Sequence, residues 1–268
     1  MGSGHERCLG EPMRIDYTTV TEIPGSKVTY EQLARTYARY RFASKFCKGK
    51  DVLEVACGSG LGLGYLAKTA KKVVGGDYTE GLLRVAQEHY SGNIGLLCLN
   101  AHELPFEHGS FDVIILYEAI YYLENPGEFI GECRRILRRG GLIIICTVNK
   151  DWSDFNPSPF SIQYFSVPEL SALLEEHDLD VKFFGDCPVV VDSVGGKITS
   201  AIKRVAVTLH LMPKTMKTKE IFKRIFFGKL LTLDAEIDDD IVEYVAPVSI
   251  PGNISNPQYK VLYAVAYV

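Results

Sequence analysis

Five short runs of continuous apolar residues most constrain what this 268-residue chain folds into: DVLEVA (51–56), KVVGGD (72–77), IGLLCL (94–99), FDVIILY (111–117) and GLIIICTV (141–148). They do not alternate apolar with polar, as strands with one wet face do. Such runs predict strands buried on both faces by helices, hence a mainly parallel sheet. Stretches with helical spacing lie between them. Thr29 and Gln32 stand at capping-box separation and open a helix to about Phe46. Further helices are expected near residues 63–69, 79–90 and 127–137. Ser166 and Glu169 repeat the capping-box separation and start a helix to His177. DVKFFG (180–185) and the terminal YKVLYAVAYV add two strands. The expected fold class is α/β, a doubly wound, mostly parallel seven-stranded sheet.

Composition narrows the class further. With 47% hydrophobic and 23% charged residues, the chain is an ordinary globular protein that builds its core without staples. A net charge of −4 argues against a general nucleic-acid binder, and no nucleic-acid partner is expected. The seven cysteines are scattered, with no C-x-x-C pair, and fit free thiols in a reducing compartment rather than a zinc site or disulfide ladder. No metal is expected. The chain shows no signal-peptide pattern and no run near the ~18 apolar residues of a membrane span, so a cytoplasmic location is expected.

Between the first apolar run and the next helix lies a loop of small residues, with Glu54, Ala56, Cys57, Gly58, Gly60 and Gly62. Small residues there let backbone approach a ligand beside free helix N–H groups. The loop is not a P-loop, because G-x-x-x-x-G-K-[ST] is absent from the chain. Nor is it the dinucleotide fingerprint: Leu63 and Tyr65 stand where a third glycine would follow.

The segment resembles the first motif of the class I S-adenosylmethionine-dependent methyltransferases, (D/E)-x-G-x-G-x-G, with Ala56 at the first glycine. Other landmarks follow in that family's order. Asp77 ends the second strand-like run, NAHELPF (100–106) is similar to D-A-x-x-L-P-F, and residues 111–113 and 117–119 match the fourth-strand motif. LRRGG (137–141) is similar to the L-(R/K)-P-G-G turn, with Arg139 in place of proline. The resemblance spans residues 29–185 and the last strand. It implies a Rossmann-like methyltransferase fold of the small-molecule type, with S-adenosyl-L-methionine as cofactor.

The resemblance also implies roles. Asp77 would take both ribose hydroxyls and Tyr78 would lie against the adenine. Asn100, Ala101 and His102 would meet the adenine edge, Asn100 through its amide oxygen. Backbone from Ala56 to Gly60 would flank the methionine portion, with Glu54 behind it and the Tyr117 carbonyl as an acceptor for the amino group. Arg41, with Tyr37 beside it, would hold the ligand's carboxylate; Arg35 and Arg39 are the other cations on that helix. Methyl transfer needs alignment more than a catalytic triad. The catalytic residue stays unknown, with His102, Glu118, Tyr121 and Tyr122 as candidate bases. The aromatic stretch 149–165, with Trp152 and Phe160, joins Tyr121 and Tyr122 as a pocket for a small organic acceptor. O-methylation stands ahead of N-methylation, and a lipid- or carrier-bound acceptor and a non-catalytic cofactor-binding module are the alternatives.

The chain divides into an arm (1–28), a core (29–186 and 257–268) and an insertion (187–256) expected to cap the acceptor side. Between Lys197 and Lys229 the insertion carries nine basic residues against one acid, Glu220, with apolar residues at helical spacing. That pattern predicts amphipathic helices that meet an acidic carrier or an anionic membrane surface, a peripheral contact.

Overall fold

A computed structural model describes residues 16–189, 230–239 and 242–268. The basic stretch 197–229 therefore lies outside the described residues. A 3-10 turn (Tyr17–Thr19) and strand β1 (Lys27–Val28) lead into helix α1 (Tyr30–Cys47). The chain then alternates through β2 (Asp51–Val55), α2 (Leu63–Ala67), β3 (Lys72–Asp77), α3 (Glu80–Tyr90) and β4 (Gly95–Cys98). Next come β5 (Phe111–Tyr117), α4 (Pro126–Ile136), β6 (Leu137–Val148), α5 (Val167–Glu175) and β7 (Asp180–Pro188). β8 (Leu231–Thr232), β9 (Val248–Ile250) and β10 (Tyr259–Tyr267) complete it.

Both capping boxes form. Thr29 Oγ1 accepts from Gln32 N–H while Gln32 Oε1 accepts from Thr29 N–H, and Ser166 and Glu169 reciprocate in the same way. The main sheet runs β4-β3-β2-β5-β6-β10-β7-β9. β4 to β6 pair in parallel, and β10 is antiparallel to both β6 and β7. β2, β3, β5 and β6 bury Val, Ile and Leu, with α1 to α3 packed on one side and α4 and α5 on the other, whereas the edge strand β4 has no buried residue, because no strand covers its outer side. The sheet thus has eight strands rather than seven. The additional β9 lies at the edge with two of its three residues exposed, so it has no apolar run to betray it. Residues 137–141 open β6 instead of forming a separate turn, because Arg138 anchors them across the sheet end to Asp51 and Asp112, 2.8 Å from each. Cys47, Cys57, Cys133, Cys146 and Cys187 are free thiols. Among the described residues no helix is long and apolar enough to cross a membrane.

Candidate active site

A cavity of about 550 Å³ opens at the C-terminal ends of β2, β3 and β5, where the strand order reverses. Its floor is the loop after β2. Ala56 adopts φ +58°, so the position of the missing first glycine needs a left-handed backbone that alanine accepts only under strain. Gly60 lies at φ +79°, and a Cβ there would sit 3.0–3.2 Å from Tyr90, Ala86 and Leu63. Gly60 is therefore small for packing against α3, not for a ligand, and it does not line the cavity.

Two carboxylates shape the polar end. Asp77 accepts from Gly58 N–H at 2.8 Å on one oxygen and from Thr79 N–H at 2.7 Å on the other. Burial pushes its carboxyl up, against the pull of those backbone donors. Glu54 is fully buried; Tyr40 donates to its Oε1 at 2.7 Å, and Oε2 has no partner. Burial pushes the Glu54 carboxyl up to about 8, with the Tyr40 hydroxyl opposing and nearby Asp77 adding to the rise. Ser59 Oγ and the Nε atoms of Arg35 and Arg39 are also buried and unpartnered, and all these residues line the same cavity. Each such group costs roughly 1–3 kcal/mol when left unpaired. The donor set asks for a ligand with an ammonium for Glu54 and an anion for an arginine.

The 100–106 segment is held from behind by α4. Glu132 accepts from Leu104 N–H, and Arg135 donates to the carbonyls of Leu104 and Phe106. Asn100 Oδ1 accepts from both the backbone N–H of His102 at 3.1 Å and its ring at 3.0 Å. His102 Nε2 in turn accepts from Asn125 N–H at 3.2 Å, which puts the ring proton on Nδ1. Asn100 thus has its oxygen engaged, against the expected use of that oxygen as an acceptor for the ligand, and its amide N–H groups are left for one. His102 has neither nitrogen free to act as a base.

The structure brings Glu54, Ala56, Cys57, Gly58, Asp77, Tyr78, Asn100, Ala101, His102, Tyr117, Tyr121 and Tyr122 to the cavity lining. It does not bring Tyr37, Arg41, Trp152 or Phe160 there. Tyr37 donates to Asp239 at 2.9 Å, and Arg41 donates to Tyr65 at 3.2 Å and lies 3.6 Å from Asp239. The helix face that enters the cavity carries Arg35, Thr36, Arg39 and Tyr40 instead. Their spacing of three to four residues was the available signal, and Arg39-Tyr40 is itself an arginine–tyrosine pair. Trp152 faces Lys260 outside the cavity, and Phe160 is half exposed with its ring 6.4 Å from Tyr17. Tyr164 reaches Tyr121 only from behind, stacked at 4.4 Å. Nothing in the sequence singled out Tyr17, Val20, Thr21 and Glu22, which cover the glycine loop from the N-terminal side.

A strap of the insertion, residues 231–239, grips the outside of this cradle. β8 pairs with β1, Ile237 N–H donates to Leu61 O at 3.0 Å, and Asp239 accepts from Tyr37 and Tyr65. Glu236 lies beside His89 of α3, and Asp238 pairs with Lys68.

Residues 53–145 match a family described as a methyltransferase domain. A probable S-adenosylmethionine-dependent methyltransferase of Mycolicibacterium smegmatis is 30% identical over 177 residues, 64% of this chain and 68% of that one. The chain belongs to the S-adenosylmethionine-dependent methyltransferases. It spans 61% of a similarly named Mycobacterium tuberculosis protein. A ubiquinone biosynthesis O-methyltransferase of Dinoroseobacter shibae is 27% identical, over 67% of this chain and 75% of that one. Among solved structures, a Thermotoga maritima protein described as a possible histamine N-methyltransferase shares the fold, with a TM-score of 0.58 at 15% identity over 89% of this chain and 92% of that one. S-adenosyl-L-methionine is accordingly this methyltransferase's cofactor.

Proposed function

We propose that this methyltransferase moves the methyl group to an oxygen of a small-molecule acceptor. The observation that carries the reading is one cavity lined both by charged groups, Glu54, Asp77, Glu118 and Arg39, and by the aromatic rings of Tyr17, Tyr121 and Tyr122. When bound, the cofactor supplies a methyl carbon activated by positive sulfur. Asp77 receives the ribose hydroxyls and Tyr78 flanks the adenine, while Asn100, Ala101 and His102 meet its edge. Glu54 faces the ammonium, Arg39 takes the carboxylate in place of Arg41, and backbone from Ala56 to Gly58 lies along the methionine portion. Tyr17, Tyr121 and Tyr122 form the acceptor wall, and the 16–22 segment excludes water above the loop.

The similarity to ubiquinone biosynthesis O-methyltransferases supports oxygen over nitrogen. The 29–186 and 257–268 core would carry most of the cofactor site, with residues 17–22 of the arm over the glycine loop and the strap of the 187–256 insertion bracing it from outside. An acidic carrier or membrane surface at 197–229 is a second reading for acceptor delivery, favoured by the nine basic residues there. Transfer of a labelled methyl group over a panel of phenols, hydroxy acids and amines tests the reading. Methylation confined to amines would overturn it, and stabilisation by NAD but not by S-adenosylhomocysteine would overturn the cofactor assignment.

A further inference from the structure

Glu118 follows β5 directly and lines the cavity together with Glu54 and Tyr121. Its backbone lies at φ +52°, a left-handed conformation that costs a side-chain-bearing residue about 1–2 kcal/mol. Its N–H is tied to Cys146 O at 2.8 Å, so the turn is locked to the neighbouring strand. Strained positions of this sort persist where surrounding structure holds them, and they gather at functional sites. The strain here aims a carboxylate. Arg39 donates to Oε1 at 2.9 Å and the Tyr121 hydroxyl to Oε2 at 3.0 Å, leaving a lone pair on each oxygen. The side chain is 19% exposed, enough to meet a ligand in the cavity.

We propose that Glu118 is the catalytic residue that receives the acceptor's proton, and that the acceptor is a phenol-type hydroxyl on a flat ring. The proposal rests on the O-methyl reading above. Arg39 already balances the Glu118 charge, so an ammonium gains little there, whereas a neutral O–H finds two fixed, directional acceptors. Other groups near the wall are engaged: both His102 nitrogens are bonded, and Tyr122 shares a hydrogen bond with Ser158 at 2.7 Å. Burial, with Glu118 alongside, pushes the Tyr121 hydroxyl up, so it stays a donor and a positioning residue. Tyr17 and Tyr122 pack on each other, their ring centres 5.0 Å apart, and line the same cavity, so a planar acceptor meets aromatic carbon there. The acceptor oxygen forms its bond to the methyl carbon as the carbon–sulfur bond breaks and leaves its electron pair on sulfur. The hydroxyl proton passes to Glu118, giving methyl ether, neutral thioether and a protonated carboxyl.

The test uses the full chain with catechol, 4-nitrocatechol and phenethylamine as acceptors, and calorimetry with S-adenosylhomocysteine as a separate reading of the cofactor site. Glu118→Gln should lower kcat on catechol about 100-fold or more, in the range of general-base losses, with S-adenosylhomocysteine binding retained. The loss should shrink on 4-nitrocatechol, whose hydroxyl gives up its proton more readily. Tyr121→Phe keeps the carboxylate but drops one donor, and should lower kcat about 5- to 10-fold. Rates within threefold of the parent for Glu118→Gln, or equal losses on both catechols, would overturn the role of Glu118 while the O-methyl reading stands. Methylation of phenethylamine alone, or of neither catechol, would overturn the acceptor class, and unchanged ligand calorimetry would show the cofactor assignment intact.

Discussion

Glu54→Gln probes the charged end of the cavity most directly. The buried carboxyl is pushed up to about 8, so at pH 7 most unliganded molecules hold it protonated. In the unfolded chain it ionises near 4.5. Because the folded state keeps a proton that the unfolded state has released, this group's contribution to stability is full below about 4.5 and is lost as pH rises to about 8. At about 1.4 kcal/mol per unit, the unliganded protein loses up to several kcal/mol over that window. Ligand binding reverses the preference, since an ammonium beside Glu54 Oε2 favours the charged form. S-adenosylhomocysteine should therefore bind about tenfold more tightly at pH 7 than at pH 6, with a further rise to pH 8. At pH 7 binding should release a proton from most molecules, read as a buffer-dependent heat in calorimetry with phosphate and Tris. Glutamine still accepts from Tyr40 but cannot titrate, so Glu54→Gln should flatten the pH dependence and remove the buffer effect. Buffer-independent heats in the parent, or an unchanged pH profile in the variant, would refute the placement of the ammonium at Glu54.

Three further outcomes follow from the geometry. Asp77→Asn leaves one of the two backbone donors of Gly58 and Thr79 facing an amide N–H, so urea unfolding should show a loss of about 1–3 kcal/mol, and S-adenosylhomocysteine should bind about 10- to 150-fold more weakly. Ala56→Gly relieves the left-handed alanine, and unfolding should show a gain of about 0.5–1 kcal/mol once the extra freedom of the unfolded chain is offset. Asp239→Ala unlatches the strap from Tyr37 and Tyr65, and should weaken S-adenosylhomocysteine binding about 2- to 10-fold without changing the acceptor KM.

The parallel sheet was legible because burial on both faces leaves continuous apolar runs, and both capping boxes were legible because their partners are only three residues apart. Residues at strand ends, such as Glu54 and Asp77, were legible as well, since a strand's C-terminal end in this fold type opens onto the cavity. Helix α1 was harder. Tyr37, Arg39 and Arg41 are neighbours in sequence, yet a rotation of about 100° per residue sends Arg39 away from the other two. Residue type alone could not choose between them; the partner could. Asp239, about 200 residues further on, draws Tyr37 and Arg41 outward, while Glu118 draws Arg39 inward. Both partners stand at places without apolar pattern, one on a strap and one at a strained strand end. The same long-range logic explains Gly62 and Gly64. A Cβ on Gly62 would overlap the Tyr40 ring, and one on Gly64 would overlap the Glu236 carboxylate. Gly62 thus serves the tyrosine that holds Glu54, and Gly64 serves the strap. In this chain the glycines of the loop shape protein-to-protein contacts at least as much as ligand space, and substitutions there should move the carboxylates of the site through the elements that carry them.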